Sequence, residues 1–254
     1  MIRPSFTVLS IAVGASFAAA QSLSDQCTST LVQAAANPDV STCLSPGTLL
    51  PLVTGSQNNS VIDPINNWLN SMCSAPACSN DTLSAFVQNV TAGCSTELSA
   101  MGISSDDANS IIPTIQAAYP TVRKVACLQD GNTKCVTQTL TNIQDMVGTL
   151  SISNVGNIGA NIASSDVPSN VTCTDCIKEA YNIINEDFPS LVSDAQSDLQ
   201  SQCGSDFTDG QSPSGISESA STNAADNNDN SASIAARDLG VSALLAIGSL
   251  FAML

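Results

Sequence analysis

Histidine is absent from all 254 residues. That removes Ser-His-Asp and Cys-His nucleophilic sites, and with them His-ligated metal centres. Basic residues are nearly as scarce, six Lys and Arg against 22 Asp and Glu, for a net charge of −16. Such a surface repels nucleic acid and anionic lipid headgroups, so nucleic acid is not expected among the partners. Aromatic residues make up 4% of the chain, with one Trp and two Tyr, which argues against a sugar-binding module built on stacking platforms. Charged residues are only 11% and apolar ones 43%. The chain is therefore no solvated acidic polymer, and it can bury a core.

Long apolar runs are confined to the two ends. Val241 to Leu254 is uncharged and stops at the last residue, short of the about 20 residues a spanning helix needs. No Lys or Arg follows it as a stop-transfer flank. It fits a glycosylphosphatidylinositol (GPI) attachment signal, with small residues at the cleavage point, a spacer and a removable hydrophobic tail. Asn230 is the expected anchor residue, followed by Ser231, Ala232 and a spacer from Ser233 to Gly240. At the other end Arg3 precedes an apolar stretch, Phe6 to Phe17, that closes on Ala18-Ala19-Ala20, as a secretory signal peptide does. The expected division is a signal peptide at 1–20, an ectodomain at 21–203, a stalk at 204–230 and a GPI propeptide at 231–254. Once both ends are removed, Arg123, Lys124, Lys134 and Lys178 are the remaining cations.

All ten cysteines lie inside that ectodomain, at Cys27, Cys43, Cys73, Cys78, Cys94, Cys127, Cys135, Cys173, Cys176 and Cys203. An even count in an oxidising compartment reads as disulfides, each stabilising by about 2–4 kcal/mol. Counting alone leaves roughly 900 pairings open. Oxidised cysteines cannot ligate a metal, so no metal or other cofactor is expected. Four Asn-x-Ser/Thr triplets begin at Asn58, Asn80, Asn89 and Asn170; those that carry glycan must face solvent.

Apolar spacing through the ectodomain is helical. Leu83, Phe86, Val87 and Val90, continued by Cys94 and Leu98, form an i, i+3, i+4, i+7 stripe, and Ser79 and Asp81 stand ahead of it as caps. Further stripes run through Leu140, Ile143, Val147 and Leu150, through Ile177, Ala180, Tyr181 and Ile184, and through Val192, Ala195 and Leu199. Strand-like alternation is nearly absent. Prolines including Pro113 and Pro120 are expected to cut the chain into about seven to ten short helices. The predicted fold class is all-α, a disulfide-stapled bundle of short helices. Ser151 to Ser165 mixes Gly and Asn with spaced Ile and Val and reads equally as frayed helix or loop. Gly204 to Ser233 has almost nothing to bury and reads as a disordered Ser/Asn/Asp-rich stalk.

Few constellations suggest chemistry. Asp106 with Asp107, or Glu186 with Asp187, could serve as paired carboxylates in glycoside hydrolysis, but adjacent acids on a helix point about 100° apart. A solvated surface is the simpler reading. Cys173-Thr-Asp-Cys176 matches a redox Cys-x-x-Cys, yet Val167 to Val171 holds a proline and a glycosylation triplet in place of the preceding strand. Two structural half-cystines are expected there. Arg123 and Lys124 read as a solvated helix end.

The most specific local pattern is Met72-Cys73-Ser-Ala-Pro-Ala-Cys78 leading into the Leu83 stripe and closed by Cys94. It resembles the elicitin family of small secreted helical proteins. The resemblance implies bridges Cys27–Cys94, Cys43–Cys78 and Cys73–Cys127, and lipid or sterol binding along Leu83, Phe86, Val87 and Val90. The interval from Cys27 to Cys43 is shorter than that family's and the one from Cys94 to Cys127 longer. A second resemblance covers more of the chain: Cys127-Leu-Gln-Asp-Gly-Asn-Thr-Lys-Cys135-Val-Thr-Gln-Thr-Leu-Thr-Asn-Ile and Cys173-Thr-Asp-Cys176-Ile are similar to secreted, Cys-rich, GPI-anchored fungal surface proteins. It implies the same layout and no known activity. The expectation is a non-enzymatic, GPI-anchored extracellular glycoprotein with a structural or adhesive role at the cell wall. Its partners would be the outer leaflet through the anchor, with cell-wall components or a lipid or sterol as further candidates.

Overall fold

The computed structural model describes residues 24–56, 58–100, 104, 108–154, 158 and 167–222. The signal peptide, Asp106, Asp107, most of the Ser151–Ser165 stretch, Asn230 and the propeptide lie outside the described residues. The architecture is all-α and disulfide-stapled, with 12 α-helices among the described residues. That exceeds the expected seven to ten because several are single turns. In chain order they are α1 (Asp25–Ala36), α2 (Pro38–Leu44), α3 (Leu50–Thr54), α4 (Ile62–Ser74), α5 (Asn80–Gly93), α6 (Ser95–Ala100), α7 (Ala108–Ala126), α8 (Cys135–Val147), α9 (Ser169–Thr172), α10 (Asp175–Asp187), α11 (Pro189–Val192) and α12 (Gln196–Cys203).

Local chemistry sets many of these starts. Ser24 Oγ accepts the Cys27 N–H at the head of α1, Asn37 Oδ1 accepts the Asp39 N–H at α2, Ser79 Oγ accepts the Thr82 N–H at α5, and Thr174 Oγ1 accepts the Ile177 N–H at α10. Each satisfies a donor that the first turn leaves without an intrahelical partner. Pro38, Pro51 and Pro189 sit in the first turns of α2, α3 and α11, where a missing N–H costs nothing.

Pro113 and Pro120 do not break the chain as expected; both lie inside the 19-residue α7. They are seven positions apart and exposed, so the carbonyls they leave without an N–H partner lie on the solvent side. The opposite face buries Ile112, Ile115, Ala118 and Tyr119. That burial, at about 1.5–3 kcal/mol per large apolar side chain, offsets an interior-proline cost of about 3 kcal/mol each.

The main core joins α1, α2, α5 and α7. Leu83, Phe86, Val87 and Val90 of α5 meet Leu44, Leu98, Ile112, Ile115 and the Cys27–Cys94 and Cys43–Cys78 bridges. Inside it the Tyr119 hydroxyl accepts the Cys78 N–H at 2.9 Å. A second cluster gathers Leu69, Met72, Cys73 and Cys127, with Trp68 packed against it. Trp68 Nε1 donates to the Leu44 carbonyl at 2.7 Å and so ties α4 to α2.

Three short strands complete the fold: β1 (Leu128–Asp130), β2 (Thr133–Lys134) and β3 (Ile216–Glu218), antiparallel in the order β2-β1-β3. Asp130-Gly131-Asn132 turns the first hairpin, with Gly131 at φ 56°. A left-handed first central residue is what a tight II′-type hairpin turn requires, and glycine supplies it without strain.

β3 corrects the first part of the expected stalk, because regular structure continues past Cys203 within the described residues. Phe207 is buried in a 3₁₀ turn, Ser205–Thr208. The Ser219 and Ser221 N–H groups then donate to the carbonyls of Cys127 and Cys73. Hydrophobic content alone misjudged this segment, for its order comes mostly from backbone pairing against β1 rather than from burial.

Candidate functional site

The five bridges are Cys27–Cys94, Cys43–Cys78, Cys73–Cys127, Cys135–Cys176 and Cys173–Cys203, and no free cysteine occurs among the described residues. The first three are the pairs the elicitin resemblance implies. Cys173 and Cys176 bond to different partners, so the Cys-x-x-Cys is two structural half-cystines. Cys27, Cys94 and Glu97 cluster closely, but both sulfurs are consumed by their bridge and offer no thiolate to a metal.

Beside the first two bridges lies an open groove of about 830 Å³, within the range of roughly 300–1,000 Å³ usual for ligand sites. One wall is α1, whose Gln26, Thr30, Gln33, Ala34 and Asn37 recur at helical spacing. The other is α5, presenting Asp81, Thr82, Ala85, Phe86, Asn89, Ala92 and Gly93; Asp39 and Val40 of α2, with Ser79, complete the lining. Gln26 and Gly93 each precede a partner of the Cys27–Cys94 bridge, and Ser79 follows a partner of Cys43–Cys78. Cys27–Cys94 thus joins one end of the two walls, and Cys43–Cys78 ties α2 to the segment ahead of α5. Where the walls touch, a Cβ on Gly93 would sit 2.0 Å from Thr30 Oγ1, so only glycine permits the approach.

The groove is polar and carries no cation. Gln33 Nε2 donates to Ser29 and Asn37 Oδ1 caps α2, whereas no hydrogen bond within the described residues engages the side chains of Gln26, Asp39, Asp81 or Asn89. All four are exposed. This mixture of amides, hydroxyls and carboxylates both donates and accepts. On the sequence it reads as an ordinary solvated stripe; only the facing of α1 against α5 makes it concave.

Other expected residues fall elsewhere. Leu83, Phe86, Val87 and Val90 are between 0% and 5% exposed, and apart from Phe86 they do not line the groove, so this stripe is packed core rather than the wall of a lipid cavity. Asn58, Asn80, Asn89 and Asn170 are all exposed, as glycan attachment requires. Glu186 and Asp187 are exposed on the last turn of α10, and Asp187 Oδ2 accepts the Thr121 hydroxyl.

Arg123 is not a solvated helix end. It is 5% exposed, and its guanidinium donates to the carbonyls of Met72, Cys73 and Ala75, closing the C-terminus of α4, while Lys124 is exposed. Lys134 is buried too, donating to Gln129 Oε1 and Ser219 Oγ, and burial holds its pKa below the usual lysine value. Glu97 is buried with Oε1 accepting the Ser24 N–H at 2.7 Å. Burial raises its pKa, but the hydrogen bonds from Ser24 outweigh that and leave it below the ordinary value.

No protein family, curated protein or solved structure matches the chain. Five disulfides are the mark of an extracellular or secreted protein, and no described helix is long and apolar enough to cross a membrane.

Proposed function

We propose that the protein is a non-catalytic glycoprotein of the cell surface, joined through Asn230 to a GPI anchor in the outer leaflet, with a structural or adhesive role at the cell wall. The observation that carries this reading is a frame in which the ten cysteines form five bridges while Asn58, Asn80, Asn89 and Asn170 all stay exposed. Such a frame suits a durable extracellular coat component. The signal-like and GPI-like ends support the address, and the lack of histidine supports the absence of catalysis. Treating intact cells with phosphatidylinositol-specific phospholipase should release the protein, and deleting it should alter wall integrity or adhesion. Retention after both phospholipase and wall digestion, or release without treatment, overturns the anchor.

The three elicitin-like bridges favour a second reading, a lipid- or sterol-binding module. Against it stands the filled core at Leu83, Val87 and Val90. A sterol or fatty acid that raises the melting temperature of the purified protein would restore it.

A further inference from the structure

We propose that the groove between α1 and α5 is a binding site for a neutral saccharide. The inference deepens the surface reading, which supplies only the setting in which such a ligand is met.

The lining chooses the chemistry. Saccharide hydroxyls donate and accept at once, and so do the amides of Gln26 and Asn89; the Thr30 hydroxyl, which donates to the Gln26 carbonyl, and the Thr82 hydroxyl, paired with Ser79, add acceptor capacity. Asp39 and Asp81 add acceptors with no cation beside them. Arg123, Lys134 and Lys178 are engaged elsewhere, so phosphates, uronic acids and nucleotides find nothing to neutralise them. Lipids find too little apolar wall. An extended peptide would need an unpaired sheet edge and an amphipathic peptide helix an apolar groove, whereas both walls are helices whose backbone bonds are internal and whose facing side chains are mostly polar. Ala34, Ala85 and Phe86 also line the groove, and of these the exposed Ala85 offers a small apolar contact for the C–H face of a sugar ring. This is hydrogen-bond recognition, not the aromatic platform that the composition argues against. The Cys27–Cys94 bridge joins the walls, and Cys43–Cys78 fixes α2 to the head of α5, before any ligand arrives, which reduces the ordering cost of binding.

The saccharide has two available sources. One is an external wall polysaccharide. The other is the chain's own glycan, because Asn89 opens the Asn89-Val90-Thr91 triplet and itself lines the groove with its amide unengaged. A glycan on that amide would start inside the site.

The test uses full-length protein in detergent, before and after native enzymatic removal of N-glycans. It is titrated by calorimetry with a neutral β-glucan hexasaccharide, a chitin hexasaccharide and a uronic acid oligomer. Saturable binding of a neutral oligomer, with none of the uronic acid, supports an external ligand. Ala85→Trp, at an exposed position, should weaken it about tenfold or more with the circular dichroism spectrum unchanged. No external binding, but magnetisation transfer from the Asn89 glycan to Ala85 and Thr30 that Ala85→Trp abolishes, supports the chain's own glycan as occupant. The absence of both oligomer binding and glycan contact overturns the proposal, and so does equal binding of the uronic acid. Phospholipase release is independent of all these readouts, so the groove can fail while the anchored-surface reading stands.

Discussion

Arg123 Nη1 donates to the Met72 carbonyl at 2.9 Å, so a cation from the last turn of α7 closes the end of α4. No described carboxylate pairs with it, and the charge is balanced by the negative end of the α4 dipole and the carbonyls of Cys73 and Ala75. Replacing Arg123 with Met keeps the apolar stem and strands the Met72 and Ala75 carbonyls, while the Cys73 carbonyl keeps the Ser221 N–H. The expected loss is about 3 kcal/mol or more, read as a lower urea midpoint at constant m-value. Arg123→Lys should fall between, because an ammonium cannot span three carbonyls as a planar fork does.

Gly93→Ala should destabilise despite the better helix propensity of alanine. The new methyl would overlap Thr30 Oγ1, and such overpacking costs about 1–3 kcal/mol, against about 1 kcal/mol gained in propensity. The double variant Gly93→Ala with Thr30→Gly should recover part of the loss. A melting temperature for Gly93→Ala at or above wild type would show that the walls of the groove can move apart freely.

Glu97 should make the fold sensitive to acid. Its pKa is depressed in the folded chain, so its contribution is complete above the unfolded value and disappears as pH falls through the folded one. Urea midpoints followed from pH 6 down to about pH 3, below the usual glutamate range, should fall less steeply for Glu97→Gln than for wild type. The same slope in both proteins would remove Glu97 from the acid response.

A chain ended after Cys203 should be less stable than one ended after residue 222. The shorter chain loses β3, buried Phe207, and the bonds from Ser219 and Ser221 to Cys127 and Cys73. Ala220 packs on the same cluster as Trp68, so the emission of the single Trp should shift towards that of a wetter ring. Hydrogen exchange at Leu128 and Gln129, which pair with β3, should accelerate.

Peptide mapping without reduction should recover the five pairs, including the separate partners of Cys173 and Cys176. Removing Cys27–Cys94, which joins residues 67 apart, should cost more than removing Cys173–Cys203, 30 apart. The chain-entropy difference is about 0.7 kcal/mol.

Helical class, the stripe on α5 and its Ser79 cap were legible in the sequence because they depend on residues within one or two turns of each other. The same holds for the oxidised state of an even set of cysteines in a histidine-free chain. The β1–β2 hairpin went unread, because strands of two or three residues show no alternation, although the signal of its Asp130-Gly131-Asn132 turn is local. Contacts between segments far apart in the chain were decided only by tertiary structure. Composition and periodicity register what a residue is, not what stands opposite it. Arg123 therefore reads as solvated until α4 ends beside it, and residues 204–222 read as a stalk until β1 offers a free edge. The polar stripe on α1 becomes one wall of a groove only because Gly93 lets α5 approach and the Cys27–Cys94 bridge holds the pair in place.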